Sequence, residues 1–123
     1  MPSRILVIDD QRVVRQYLRM ALQRAGYDVV VASDGRKGIQ MLETDEIDLV
    51  LTDLKMPYLD GFAVLRYVQR TRRQVPVVLM TAYGSPAVEE EAGRLGAFAY
   101  LSKPFEIEDL EQILRRALVK SPA

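Results

Sequence analysis

The chain of 123 residues contains neither cysteine nor histidine. Without cysteine there is no disulfide framework, no thiol nucleophile and no thiolate metal site. Without histidine the usual general base is missing, along with most zinc sites and any role as a phosphohistidine carrier. Asparagine is absent too, and arginine outnumbers lysine 13 to 4. Loss of labile side chains suits a thermophilic source, although genome base composition produces the same pattern. Neither sign of charge is in excess, with 17 basic and 17 acidic residues, so the basic footprint of a nucleic-acid binder is lacking. Long apolar runs are lacking as well. The N-terminus has no signal-peptide core, and no stretch reaches membrane-spanning length. These absences imply a soluble cytoplasmic protein, with no nucleic-acid binding by this domain alone and no membrane binding. The length suits a single domain over 1–123 with a core over about 4–119, burying roughly two-thirds of its unfolded surface.

What is present is a set of short apolar runs that each stop at a polar side chain. Ile5-Leu6-Val7-Ile8 precedes Asp9-Asp10, and Leu49-Val50-Leu51-Thr52 precedes Asp53. Val77-Val78-Leu79-Met80 precedes Thr81, and Ala99-Tyr100-Leu101-Ser102 precedes Lys103. Non-alternating runs of this length followed by helical patterns read as buried parallel strands. Strands are predicted over Arg4–Ile8, Asp28–Ala32, Leu49–Asp53, Val77–Thr81 and Phe98–Ser102. Helices are predicted near Arg12–Ala25, Arg36–Glu43, Gly61–Arg70, Pro86–Leu95 and Ile107–Val119, with Ser33-Asp34-Gly35 as a turn. In the first helix Val14, Leu18, Ala21, Leu22 and Ala25 keep the spacing of one face. Asp60 and Ser85 stand where helix caps belong, and Gly26 and Gly96 where helices end. Strict alternation of strand and helix makes a right-handed parallel α/β sheet.

In such a sheet the carboxyl ends of all strands share one edge, which is where open α/β folds bind ligands. Three carboxylates, a hydroxyl and an ammonium would meet there. Carboxylates suit a hard cation such as Mg²⁺, while hydroxyl and ammonium suit phosphoryl oxygens. One carboxylate is left to accept a phosphoryl group. Taken singly, each residue has an ordinary structural reading: Asp9-Asp10 as a helix cap, Asp53 as a turn former, Thr81 as a strand residue, Lys103 as a solvated loop lysine and Tyr100 as a half-exposed strand aromatic. It is their joint order and spacing that argues for a site. Glu89-Glu90-Glu91 reads as a solvated helix face. Gly35-Arg36-Lys37-Gly38 lacks the spacing of a phosphate loop.

Ile8-Asp9-Asp10, Asp53 with Met56-Pro57 and Asp60-Gly61, Thr81-Ala82, and Lys103-Pro104-Phe105 resemble the receiver domain of two-component response regulators over about Arg4–Val119. The resemblance implies a flavodoxin-like (βα)5 doubly wound parallel sheet with strand order 2-1-3-4-5. It implies phosphoryl transfer from a histidine kinase or histidine phosphotransferase onto Asp53, dependent on Mg²⁺, for which Mn²⁺ can substitute. Asp10, Asp53 and the Lys55 backbone carbonyl would ligate the metal, with Asp9 positioning it through water. Thr81 and Lys103 would contact the phosphoryl oxygens, and Tyr100 takes the place of a switch aromatic. A cis Lys103-Pro104 peptide would aim the lysine. Gln11, Val13, Val14, Pro104 and Phe105 would meet the donor, and a downstream effector would read the fourth helix, fifth strand and fifth helix. The domain would be a monomer or a phosphorylation-dependent dimer, and not an enzyme beyond the chemistry of its own phosphorylation and dephosphorylation. Gln11, Lys55 and Thr81-Ala82-Tyr83-Gly84 look most like single-domain receivers of sporulation phosphorelays, and the last run also resembles receivers attached to σ54-dependent activators.

Two rival classes fit less well. An aspartate-nucleophile phosphohydrolase of the haloacid dehalogenase type wants a second aspartate two residues after the nucleophile, where this chain has Lys55. A flavin or nucleotide binder wants a Gly/Ser/Thr-rich loop after the first strand, where Asp9-Asp10-Gln11 would repel phosphate.

Overall fold

The computed structural model describes residues 2–72 and 74–119. Five strands alternate with five helices: β1 Arg4–Ile8, α1 Arg12–Arg24, β2 Asp28–Ala32, α2 Gly35–Thr44, β3 Leu49–Asp53, α3 Gly61–Thr71, β4 Val77–Thr81, α4 Pro86–Arg94, β5 Ala99–Ser102 and α5 Ile107–Ala117. The strands form one parallel sheet in the order β2-β1-β3-β4-β5. This is the expected doubly wound arrangement.

Alternation along the strands divides the core in two. Leu6, Ile8, Val50 and Leu79 point to one face and pack with Leu42 of α2, Val64, Leu65 and Val68 of α3 and Ala92 of α4. Ile5, Val7, Leu51, Val78 and Met80 point to the other and pack with Leu18 and Leu22 of α1 and Leu110, Ile113 and Leu114 of α5. Both faces of β3 and β4 are therefore covered, which is why these strands read as unbroken apolar runs. Each fully buried leucine or isoleucine contributes about 1.5–3 kcal/mol to the fold.

Local chemistry starts and stops the helices. Asp34, Asp60 and Ser85 accept hydrogen bonds from the N–H groups of Lys37, Ala63 and Val88 and cap α2, α3 and α4; each such cap is worth about 1 kcal/mol. Gly26 and Gly96 take φ of +98° and +94° just past α1 and α4, where other residues would be strained. Gly35 departs from expectation. It opens α2 rather than closing a turn, because Asp34 is the cap and because a Cβ at Gly35 would lie 2.6 Å from the Leu59 carbonyl oxygen. The Asp9-Asp10 pair does not cap α1 either, since Gln11 occupies that position without a side-chain bond. α5 stops at Ala117, two residues short of the predicted end.

Candidate functional site

Strand register assembles the site. Ile8 lies level with Thr52, Asp53 with Met80, and Thr81 with Ser102. The residues at or just beyond these ends therefore emerge on one edge. Asp9, Asp10 and Asp53 each present a carboxylate oxygen, and these oxygens all lie within 4.8 Å of one another. Asp9 is fully buried, Asp53 is 8% exposed, and Asp10 is open to solvent.

Lys103 closes the cluster from β5. Its Nζ donates to Asp9 Oδ2 at 2.9 Å and sits 3.5 Å from Asp53 Oδ2. The Lys103–Pro104 peptide is cis. Asp9 Oδ1 accepts from the Gln11 N–H at 2.9 Å, and Arg15 Nη1 donates to the Asp9 carbonyl at 2.8 Å. Burial pushes the Asp53 carboxyl above its usual range; Lys103 opposes the shift and the negative charge of Asp9 adds to it. One ammonium faces three carboxylates, so the pocket carries an excess of negative charge beside oxygen donors alone. That donor set and its spacing fit Mg²⁺, a hard cation that keeps several waters.

Thr81 is buried at the end of β4, where its Oγ1 accepts from the Tyr83 N–H at 3.0 Å. Tyr100 is half-buried against the core cluster that holds Leu79. Its hydroxyl is buried without a hydrogen-bond partner among the described residues. The phenol reaches under Gly84, where any Cβ would collide with it. Lys55 lies exposed on the β3–α3 loop with its ammonium 5.0 Å from the centroid of the Tyr83 ring. This cation–aromatic contact joins the two loops flanking Asp53, and sequence spacing gave no sign of it.

Val13, Val14, Pro104 and Phe105 come together in one apolar groove with Tyr17 and Ala82 beside Lys103. Gln11 is not part of that groove; its N–H turns to Asp9 instead. Val14 is both half-buried against the core and a wall of the groove. Tyr17 and Met20 are each 56% exposed and extend the apolar stripe along α1. Their spacing from Val13 by one and two turns was the available sequence signal.

The fold and the acidic edge define a doubly wound α/β domain with its ligand crevice at the strand ends. Residues 5–115 match the family model of the response regulator receiver domain. The chain is 41% identical over 118 residues to the response regulator MprA of Mycolicibacterium vanbaalenii, covering 96% of this chain and 51% of that protein. It is 38% identical to the regulatory protein AtoC of Escherichia coli, covering 94% of this chain and 25% of that protein. Among solved structures, chemotaxis protein CheY4 of Vibrio cholerae superposes with a TM-score of 0.90 at 32% identity, covering 96% of this chain and all of that one. The response regulator TrrA of Thermotoga maritima, solved in complex with Mg²⁺-BeF, superposes with a TM-score of 0.86 at 28% identity, covering 94% and 99% of the two chains.

The chain therefore belongs to the response regulator receiver family, whose members are signalling domains of two-component systems. The phosphohydrolase reading has no support in these relationships. The chain spans about half the length of relatives such as MprA. No helix among the described residues is long and apolar enough to cross a membrane.

Proposed function

We propose that the chain receives a phosphoryl group on Asp53 from a phosphohistidine of a kinase or phosphotransferase, and that the resulting acyl phosphate changes the surface a partner reads. The observation that carries this reading is the juxtaposition of Asp53 with Lys103 on one side and Asp9 and Asp10 on the other. An Asp53 carboxylate oxygen attacks phosphorus while the bond from phosphorus to the donor imidazole nitrogen breaks. The nucleophile has no proton to lose, so the lack of histidine costs nothing. Transfer of this kind needs positioning and charge neutralisation more than covalent help.

Asp10, Asp53 and the Lys55 carbonyl would hold the magnesium ion, with Asp9 in support. When bound, the ion supplies positive charge to the acceptor and phosphoryl oxygens, and Mn²⁺ can substitute for it. Lys103 already touches Asp53 and needs only a small displacement to meet a phosphoryl oxygen. The Thr81 hydroxyl supplies a second donor. Turning toward the phosphoryl group, it leaves space beside β5 and so favours the inward placement of Tyr100, whose hydroxyl lies buried beneath Gly84. The groove of Val13, Val14, Pro104 and Phe105 suits an apolar helix that carries the phosphohistidine, with Gln11 meeting the donor from outside the groove, beside Asp9. The readout face is α4, β5 and α5. It serves an effector, or a second copy of the chain in a phosphorylation-dependent dimer, in the cytoplasm.

Beryllofluoride with Mg²⁺, an acyl-phosphate mimic, tests the switch. Amide shifts should spread from Asp53 through Thr81 to Tyr100 and the α4–β5–α5 face. Shifts confined to the acidic pocket would contradict it.

A further inference from the structure

The loop from Asp53 to α3 contains a backbone conformation that its sequence does not favour. Tyr58 has φ of +73°, alone among the described non-glycine residues in being positive. The Leu59 N–H donates to the Pro57 carbonyl at 2.9 Å and closes a three-residue turn around Tyr58. Turns of this hand are rare and strained, and a bulky side chain makes them more so. Such strain persists only where the surroundings over-determine it, and it gathers at functional sites.

The surroundings here are the first turn of α2. The Arg36 guanidinium carbon lies 4.3 Å from the centroid of the Tyr58 ring. Its neighbour Gly35 packs so tightly on Leu59 that no Cβ would fit. At its base the loop is closed by the Gly61 N–H donating to the Leu54 carbonyl at 2.8 Å. Tyr58 itself is 76% exposed and fills no core. The loop is thus fixed at its foot by backbone and at its tip by a stack that contributes little burial. Between foot and tip stands Lys55. A carboxylate ligand can find a metal by changing rotamer, but a backbone carbonyl points only where its loop directs it.

We propose that the Arg36–Tyr58 stack is a positioning device that holds the β3–α3 loop with the Lys55 carbonyl aimed at the acidic cluster, and so sets the affinity of the chain for its divalent cation. The inference rests on the magnesium reading above. The test is calorimetric titration of the full chain with Mg²⁺ alone, paired with melting of the metal-free protein. Arg36→Gln and Tyr58→Gly should each weaken Mg²⁺ binding by about two- to fivefold, the worth of an exposed cation–aromatic contact. Tyr58→Gly also removes the left-handed strain, so its metal-free melting temperature should not fall. Tyr58→Phe keeps the ring and should bind as the parent does.

Parent-like affinity in both Arg36→Gln and Tyr58→Gly would overturn the proposal. So would a loss of affinity in Tyr58→Gly matched by a loss of its melting temperature, which would make the stack an ordinary stabilising contact. Asp10→Ala separates the two levels of the argument. If it binds Mg²⁺ as well as the parent, the acidic cluster is not the metal site, and the reading and the inference fail together.

Discussion

Lys103→Met should destabilise the metal-free protein far more than most single substitutions. Methionine keeps the length of the side chain and removes the charge. The ammonium it deletes lies 2.9 Å from a carboxylate oxygen of fully buried Asp9 and 3.5 Å from one of Asp53. Each contact is worth about 5 kcal/mol at an effective dielectric of about 20. Much of that is offset by the cost of desolvating Lys103, whose side chain is only 18% exposed. Removing one partner of a buried pair leaves a net loss of about 3–5 kcal/mol. Urea unfolding in a chelating buffer reads this as a midpoint lower by about 2–3 M at unchanged slope. Saturating Mg²⁺ should then restore more stability to the variant than it adds to the parent, because the ion takes over charge that Lys103 neutralises. A loss below about 1 kcal/mol, or an equal Mg²⁺ increment in both proteins, would refute the idea that Lys103 balances this cluster.

Two further outcomes follow from the same edge. Because the Asp53 carboxyl is raised by burial, its contribution to metal-free stability is complete below the unfolded value of about 3.9 and is lost as pH rises through the raised folded value. Asp53→Asn should abolish that decline and be the more stable protein at neutral pH, and an unchanged pH profile of unfolding would contradict the assignment. Lys55 and Tyr83 stack across the loops beside Asp53 and should shield an acyl phosphate from in-line water. The phosphorylated Lys55→Asn/Tyr83→Glu variant should therefore decay faster than the parent; equal decay would remove these residues from control of the lifetime.

The strands were legible because β1, β3 and β4 are buried on both faces and leave unbroken apolar runs. Their polar terminators gave Asp9, Asp10, Asp53, Thr81 and Lys103 for the same reason: a polar side chain ends a buried run only where the sheet ends. What the sequence did not disclose depends on contacts between distant loops. The Arg36–Tyr58 stack joins the first turn of α2 to the β3–α3 loop and the Lys55–Tyr83 stack joins two loops, each across 20 or more residues, and no local spacing encodes them. Gly35 looked like a turn glycine because the need for its missing Cβ arises at Leu59, beyond the next strand. Taken singly, Asp9-Asp10 also reads as a cap, because capping and metal ligation call on the same side chain at the same end of a helix. Only the path of Gln11 into α1 separates the two.

The central claim is that Asp53 accepts the phosphoryl group. Intact-mass measurement after incubation with acetyl phosphate and Mg²⁺ tests it most directly. The parent should gain the mass of one phosphoryl group, lose that gain when Mg²⁺ is chelated beforehand, and show none of it in Asp53→Asn. Equal labelling of Asp53→Asn would contradict the account.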